Sequence, residues 1–256
     1  MEYALITGAS GGIGESFARA LAARKSNLIL VARSEEKLKV LGDELAKAHG
    51  IMAESVALDL SEPGAASKLF ETVERRGLQA SLLINNAGFG AQGRAWEIDF
   101  TRQAQMMRLN IQALVEITSL FLPRMIQKRR GGVINVSSTA SFQPLPYTSV
   151  YAASKAFVTS FSMGLAEEAR PYGISVVTLC PGTTRTNFFE AGEYKSMNMR
   201  MAFQSPEAVA RAGLKQLDRG GGLVVSRKMD EVLILAERLL PRSWVARLTA
   251  GIFRPK

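Results

Sequence analysis

Thr7-Gly8-Ala9-Ser10-Gly11-Gly12-Ile13-Gly14 follows directly on the apolar run that begins at Tyr3 and leads into Glu15-Ser-Phe-Ala-Arg-Ala-Leu-Ala, which has helical spacing. Glycines at such a strand-to-helix turn let the backbone approach a pyrophosphate, whose charge is met by free N–H groups at the helix N-terminus. The spacing is Gly-x-x-x-Gly-x-Gly, not Gly-x-Gly-x-x-Gly. Gly8, Gly12 and Gly14, with Ser10 and Ile13 between them, are therefore candidate cofactor contacts. Ser10 contributes its hydroxyl only if the loop turns it inward.

Outward from this turn, short aliphatic runs alternate with segments of helical periodicity. The runs are Tyr3–Thr7, Leu28–Ala32, Met52–Ala57, Leu82–Asn85, Val133–Ser137, Ser175–Cys180 and Leu223–Val225. Helices are predicted near 13–24, 35–48, 64–76, 99–128, 151–170 and 206–219. This alternation implies βαβ crossovers and a parallel sheet covered on both faces, and Leu28-Ile29-Leu30-Val31 is apolar enough for a doubly buried strand. No linker, composition break or repeat divides the chain, so residues 1–256 are expected to form a single domain. Two stretches depart from the rhythm. Residues 183–204 hold Phe188, Phe189, Met197, Met199, Met201 and Phe203 without strand alternation and are expected to be an insertion. From Met229 a further helix is expected, with Pro241 starting a second segment.

Composition narrows the chemistry. Of 256 residues, 32 are Lys or Arg and 23 Asp or Glu, for a net charge of +9, so anionic partners come into view. The surplus is local: residues 238–256 hold five cations and no acid, and Arg124, Lys128, Arg129 and Arg130 supply four more. No helix-turn-helix, zinc or RNA-binding pattern accompanies the charge, which argues against nucleic acid as partner. Cys180 and His49 are the sole residues of their kinds, which excludes an intrachain disulfide, a thiolate cluster and a two-histidine zinc site. Both are expected to be packing or surface residues, and no metal is expected. Neither a signal peptide nor a run of ~18 apolar residues is indicated, so a cytoplasmic protein is expected.

Eighteen residues beyond Gly14, dinucleotide sites usually carry an acid for the ribose 2′-hydroxyl; this chain has Ala32-Arg33. Arg33 can pair with a 2′-phosphate, so NADP(H) is expected in preference to NAD(H). Asp59 is placed to meet an adenine amino group and Leu60 to add a backbone contact, although Asp59 fits equally the turn into the next helix. Asn85-Asn86-Ala87-Gly88 ends the fourth strand, where small residues let a ribose lie against the sheet edge. Asn86, Ala87 and Gly88 are therefore further candidate contacts.

Tyr151 and Lys155 stand four apart on a predicted helix, so their side chains share a face, and an ammonium there is expected to lower the pKa of the phenol. Ser138 lies 13 residues earlier, just past the fifth strand, where a hydroxyl can hold a carbonyl oxygen.

Together with Asn110 and Pro181-Gly182, the motifs Thr7-Gly8-x-x-x-Gly12-x-Gly14, Asn85-Asn86-Ala87-Gly88, Ser138 and Tyr151-x-x-x-Lys155 resemble, in order and spacing, the short-chain dehydrogenase/reductase family. The resemblance covers about residues 1–190. It implies a doubly wound, Rossmann-type α/β fold with a seven-stranded parallel sheet and hydride transfer between NADP(H) and a carbonyl or secondary alcohol. It further implies that Ser138 orients the carbonyl, Tyr151 donates the proton, Lys155 tunes Tyr151 and binds the nicotinamide ribose, and Asn110 holds a water linking Lys155 to solvent. Tyr151 and Lys155 are thus cofactor contacts as well as catalytic residues. Pro181, Gly182 and Thr183 would line the nicotinamide and Thr186 would reach the diphosphate. A homodimer or homotetramer, paired through the helices near 99–128 and 151–170, is also implied.

In this family the segment after the sixth strand usually closes over the substrate. Its aromatic and methionine content here fits a hydrophobic ketone or aldehyde, steroid-like or fatty acyl, although helix packing explains the same residues. The basic amphipathic segment at 229–256, with Trp244, fits either a cover over a cleft or subunit contact, or peripheral attachment to an anionic membrane. The last would make the protein a membrane-associated lipid ketone reductase. A catalytically silent NADP-binding regulator is the competing class, and its expected mark, loss of Ser138, Tyr151 or Lys155, is missing.

Overall fold

In the computed structural model of the chain, residues 1–192, 194, 203–237 and 239–254 are described. Met197, Met199 and Met201 of the expected lid, and Arg238 and Lys256 of the basic tail, lie outside the described residues. The seven apolar runs form β1 (Glu2–Thr7), β2 (Asn27–Ala32), β3 (Ala53–Ala57), β4 (Gln79–Asn85), β5 (Gly131–Val136), β6 (Ile174–Cys180) and β7 (Gly222–Val225). They make one parallel sheet in the order β3-β2-β1-β4-β5-β6-β7. The order reverses between β1 and β4, and a crevice outside the carboxyl ends of these strands is where an open α/β sheet takes its ligand.

Alternate residues of each strand feed two cores. Ile6, Leu28, Leu30, Ile84, Ile134 and Leu179 pack under α1 (Gly12–Ala23), α2 (Glu35–His49) and α8 (Pro206–Asp218). Leu5, Ile29, Val31, Leu83, Val133 and Val176 face the other way, toward α3 (Ala65–Arg75), α5 (Leu114–Lys128) and α6 (Ser149–Ala169). Each buried Leu or Ile contributes about 1.5–3 kcal/mol, so the two-faced strand pattern is what commits the chain to a covered sheet.

The segment expected as one helix over 99–128 is three. Asp99 caps α4 (Phe100–Met107) by accepting from the N–H groups of Thr101 and Arg102 at 2.7 and 3.2 Å. Residues Arg108–Ala113 are then π-helical before α5 resumes. A π-helical turn shifts which side chains face inward and is common where function requires it; here it turns Asn110 into the core. After β6 come the short α7 (Phe188–Ala191) and then, past β7, α9 (Lys228–Glu237) and α10 (Arg242–Phe253).

The two halves of the positive surplus differ. Near the end of α5, Arg124 pairs with Glu74 and Arg130 with Glu2, while Lys128 donates to Gln79 Oε1 at 2.6 Å. Arg124 and Arg130 are thus neutralised by carboxylates, while Arg129 donates to the Pro171 carbonyl, whereas residues 238–256 hold no acid of their own.

Candidate active site

Thr7 ends β1 and fixes the floor of the site. Its Oγ1 accepts from the N–H groups of Asn86 and Ala87, both at 3.0 Å, and Asn86 Nδ2 donates to the Thr7 carbonyl at 2.9 Å. The ends of β1 and β4 are thereby pinned together where the strand order reverses. Gly8 has φ 68°, and a Cβ there would stand 2.8 Å from Asn86 Nδ2; at Gly14 it would stand 2.2 Å from the Gly8 carbonyl oxygen. Both positions therefore exclude any side chain. Gly11 precedes α1 and provides no side-chain cap, so the first N–H groups of α1 are left to a ligand. Gly8, Ser10, Gly12, Ile13, Asn86, Ala87 and Gly88 line a cavity of about 1060 Å³, whereas Gly14 lies behind the loop and secures the packing of α1. A cradle that a single Cβ would fill, beside free helix N–H groups, fits a dinucleotide pyrophosphate.

Arg33, Asp59 and Leu60 do not line this cavity. Asp59 Oδ1 accepts from the N–H and Oγ of Ser61 at 2.9 and 2.6 Å, which is the turn alternative, and Leu60 is buried. Arg33 Nη1 stands 3.9 Å from Asp59 Oδ2 with its side chain 81% exposed, so the pair holds it only weakly. The cations that line the cavity are Arg19, Lys37, Lys155, Arg185 and Arg227, of which Arg19 and Lys37 stand on α1 and α2. Arg19 is held by Glu44 and Glu15, which raise its pKa, while Lys37 lies in the first turn of α2. Lys37 had a sequence signal in its place in the first turn after β2, which a search for a residue at the strand end passes over, while Arg19, midway along α1, had none.

Ser138 follows β5 and caps a single 3₁₀ turn, its Oγ accepting from Ala140 N–H at 3.1 Å. Ser137 Oγ donates to the Lys155 carbonyl at 2.8 Å, fixing α6 against the strand end and bringing Tyr151 within hydrogen-bonding reach of Ser138. Lys155, 5% exposed, donates from Nζ to the Val136 carbonyl at 2.8 Å, with Nζ 5.9 Å from the centre of the Tyr151 ring.

The protonation states depart from the expected lowering of the phenol pKa. Burial pushes Tyr151 up to about 12, opposed only by the Ser138 hydrogen bond, and pulls Lys155 down to about 8. Desolvation outweighs the attraction of the nearby Lys155 ammonium, which is also engaged with the Val136 carbonyl. In this arrangement Tyr151 is a protonated donor at neutral pH.

Asn110 is not a cavity residue. Its Nδ2 donates to the Phe89 carbonyl and to Ser154 Oγ, each at 3.0 Å, and its Oδ1 accepts from Phe89 N–H at 3.1 Å. Both protons of its amide are taken by protein acceptors. Gly88 lies between Asn110 and Lys155: a Cβ on it would stand 2.9 Å from Asn110 Oδ1 and 3.4 Å from Lys155 Nζ.

The remaining walls come from the C-terminal third. Pro181, Gly182, Thr183 and Thr186 line the cavity, and Thr186 packs on Gly12. Phe188 places its ring 5.2 Å from that of Tyr151; Tyr194 lies 5.8 Å from Phe188, and Phe189 bridges Tyr194 and Phe203. Burial raises the Tyr194 pKa, so it stays neutral. Leu233, Ile234 and Glu237 of α9 and Thr249, Ile252 and Phe253 of α10 also line the cavity. Thr249 Oγ1 donates to the Pro144 carbonyl at 3.1 Å and Gln92 Nε2 to the Phe253 carbonyl at 2.9 Å. The basic segment therefore covers the cleft on its inner side, and it supplies substrate-side walls that the sequence motifs did not single out.

The chain matches the short chain dehydrogenase family over residues 2–195. It is 32% identical over 185 residues to a very-long-chain 3-oxoacyl-CoA reductase of Anas platyrhynchos, a match covering 70% of this chain and 58% of that protein. The chain thus spans under two thirds of the length of the first curated relatives it matches. Among solved structures, a short-chain dehydrogenase from Sphingobium yanoikuyae in complex with NADPH is 28% identical, with a TM-score of 0.83 over 93% of this chain and 95% of that one. A 7beta-hydroxysteroid dehydrogenase is 25% identical, with a TM-score of 0.88 over 97% and 96%.

Proposed function

The chain belongs to the short chain dehydrogenase family, and on that premise we propose that it is an NADP(H)-dependent reductase of bulky apolar ketones of the fatty-acyl kind. One observation carries the reading: Ser138, Tyr151 and Lys155 line one large cavity walled by Phe188, Leu233, Ile234, Ile252 and Phe253, with the Tyr151 phenol held protonated by burial. The named relatives, a 3-oxoacyl-CoA reductase and a hydroxysteroid dehydrogenase, point the same way.

Gly8, Ser10, Gly12 and Ile13 would hold the pyrophosphate, Asn86, Ala87 and Gly88 the adenosine-side ribose, and Pro181 to Thr183 with Thr186 the nicotinamide half. NADPH, when bound, supplies the hydride. Ser138 and Tyr151 aim two hydroxyls at one substrate oxygen, where alkoxide charge develops, and Tyr151 releases its proton to that oxygen. Lys155 stabilises the phenolate left behind, and its proximity to Gly88 suits a ribose contact. Asn110 positions these groups by holding the Gly88–Phe89 backbone and, through Ser154, α6. Arg19 and Lys37 are the cations placed for a 2′-phosphate, with Arg33 swinging in from solvent as a third. We assign self-association to the face of α4 and α6, where Phe100, Phe157 and Met163 are exposed, with exposed Trp96 in the loop before α4.

Offered a panel of carbonyl compounds, the protein should consume NADPH with long-chain 3-oxoacyl thioesters or bulky ketones and not with small sugars. Lys37→Ala and Arg33→Ala should each raise KM for NADPH by about tenfold, the loss of one charge-assisted contact, with little change for NADH. Equal effects on both cofactors would remove the 2′-phosphate assignment, and turnover confined to small polar carbonyls would remove the substrate class.

A further inference from the structure

The outer side of α9 and α10 is apolar in a way that covering the cleft does not require. On α10, Val245 and Thr249 face inward, while Trp244, Leu248 and Ile252, four apart, form an exposed stripe. On α9, Ile234 faces inward and Met229, Val232, Leu233 and Leu235 are exposed, with Leu239 following at 87% exposure. Folding has already taken the inner stripe of each helix, so this second apolar surface is left exposed among the described residues. Contiguous apolar surface of this kind marks an interaction site.

Its charge is one-sided. Arg242 and Arg247 are exposed on α10, Arg254 follows it, and residues 239–254 contain no acid. The acids of α9 are mostly turned in: Asp230 is buried against Arg227, and Glu237 accepts from the Gln143 amide. Among the described residues, Glu231 is the one fully exposed acid of the two helices, and Lys228 stands beside it.

We propose that this face docks on an anionic lipid bilayer, with the α9 and α10 side chains in the headgroup boundary and the mouth of the cavity against the lipid. Three observations select that occupant. Trp244 with arginines beside an aliphatic stripe is the composition that partitions to a charged interface. Leu233 and Ile252 are 53% and 44% exposed yet line the cavity, so the apolar surface runs without a break into the site. A second copy fits poorly, because a two-fold contact would set these arginines against their own equivalents with no carboxylate on α10 to meet them. No described helix is long and apolar enough to cross a membrane, so attachment would be peripheral. That the opening admits an apolar ketone rests on the function proposed above; docking does not, and is measured without turnover.

The full chain should be sedimented with vesicles of phosphatidylcholine alone and of phosphatidylcholine with phosphatidylserine. Binding to the anionic vesicles should be at least about tenfold stronger, since each arginine brought to such a surface favours it roughly fivefold. In a Trp96→Phe background, Trp244 emission should be quenched by brominated acyl chains. Trp244→Glu with Leu248→Glu should abolish both signals while NADPH binding is retained, which shows that the variant is folded. Equal partition onto both vesicle types, or undiminished binding by the double variant, would overturn the proposal. So would loss of vesicle binding in the wild type together with dissociation of an oligomer by the double variant, which would make the face a subunit contact.

Discussion

Tyr151→Phe should lower kcat for ketone reduction by about three orders of magnitude, within the range that a positioned acid contributes, and leave the dissociation constant for NADPH within about twofold. The ring is retained, so its packing against Phe188 and the α6 helix should survive; only the hydroxyl shared with Ser138 is lost. Because burial holds that hydroxyl protonated to about pH 12, it serves as donor throughout the neutral range. The same protonation makes the reverse reaction climb with pH, since alcohol oxidation needs the phenolate. Stopped-flow turnover and cofactor fluorescence titration check the two halves of this expectation. A variant that keeps more than a tenth of wild-type kcat would show that the proton comes from elsewhere.

Lys155→Met should remove activity and make the protein more stable. Burial pulls the ammonium from its ordinary 10.5 to about 8, so below pH 8 the folded chain carries a charge that the unfolded chain holds more easily. That gap is worth about 3 kcal/mol against the fold, relieved as pH rises from 8 toward 10.5. Methionine fills the space without the charge but gives up the hydrogen bond to the Val136 carbonyl, about 1–2 kcal/mol. The variant should therefore be about 1–2 kcal/mol more stable in urea at about pH 7, and should lose the rise in stability that the wild type shows up to about pH 10. Beyond that, Tyr151 reverses the trend: its folded pKa lies above the ordinary value, so stability is lost between about pH 10 and 12 in both proteins. Reduction by the wild type, which depends on the charged lysine, should fall above about pH 8. A Lys155→Met protein less stable than wild type would mean that the ammonium supports the fold rather than the chemistry.

The sheet was legible because its strands obey one rule, apolar on both faces, and because glycines without room for a Cβ mark the β1–α1 turn. Tyr151, Lys155 and Ser138 were legible through spacing: four residues share a helix face, and Ser138 sits at a strand end. Other features have no one-dimensional signal. The π-helical turn at Arg108–Ala113 is a backbone adjustment inside a continuous helical pattern, yet it decides that Asn110 bonds Phe89 and Ser154. The upward pKa of Tyr151 depends on Phe188 and Tyr194 closing over it from a segment far along the chain. Arg33 was legible from its place just after β2, but which cations face the cavity depends on how α1 and α2 dock on the sheet, and that brings in Arg19 and Lys37. The amphipathic C-terminal segment left cover and membrane attachment as alternatives. Its helices have two apolar sides: one lines the cleft, and the other is left for the bilayer proposed above.

Hydride transfer from NADPH to a bulky apolar ketone at the floor of this cavity must carry a nicotinamide hydrogen into the product. NADPH dideuterated at C4 of the nicotinamide, incubated with the protein and a long-chain 3-oxoacyl thioester, tests it directly by mass spectrometry of the product. The account predicts one deuterium on the new carbinol carbon of the 3-hydroxyacyl product, and none with Tyr151→Phe over the same period. Reduced product without deuterium, or label transferred equally well by Tyr151→Phe, would contradict it.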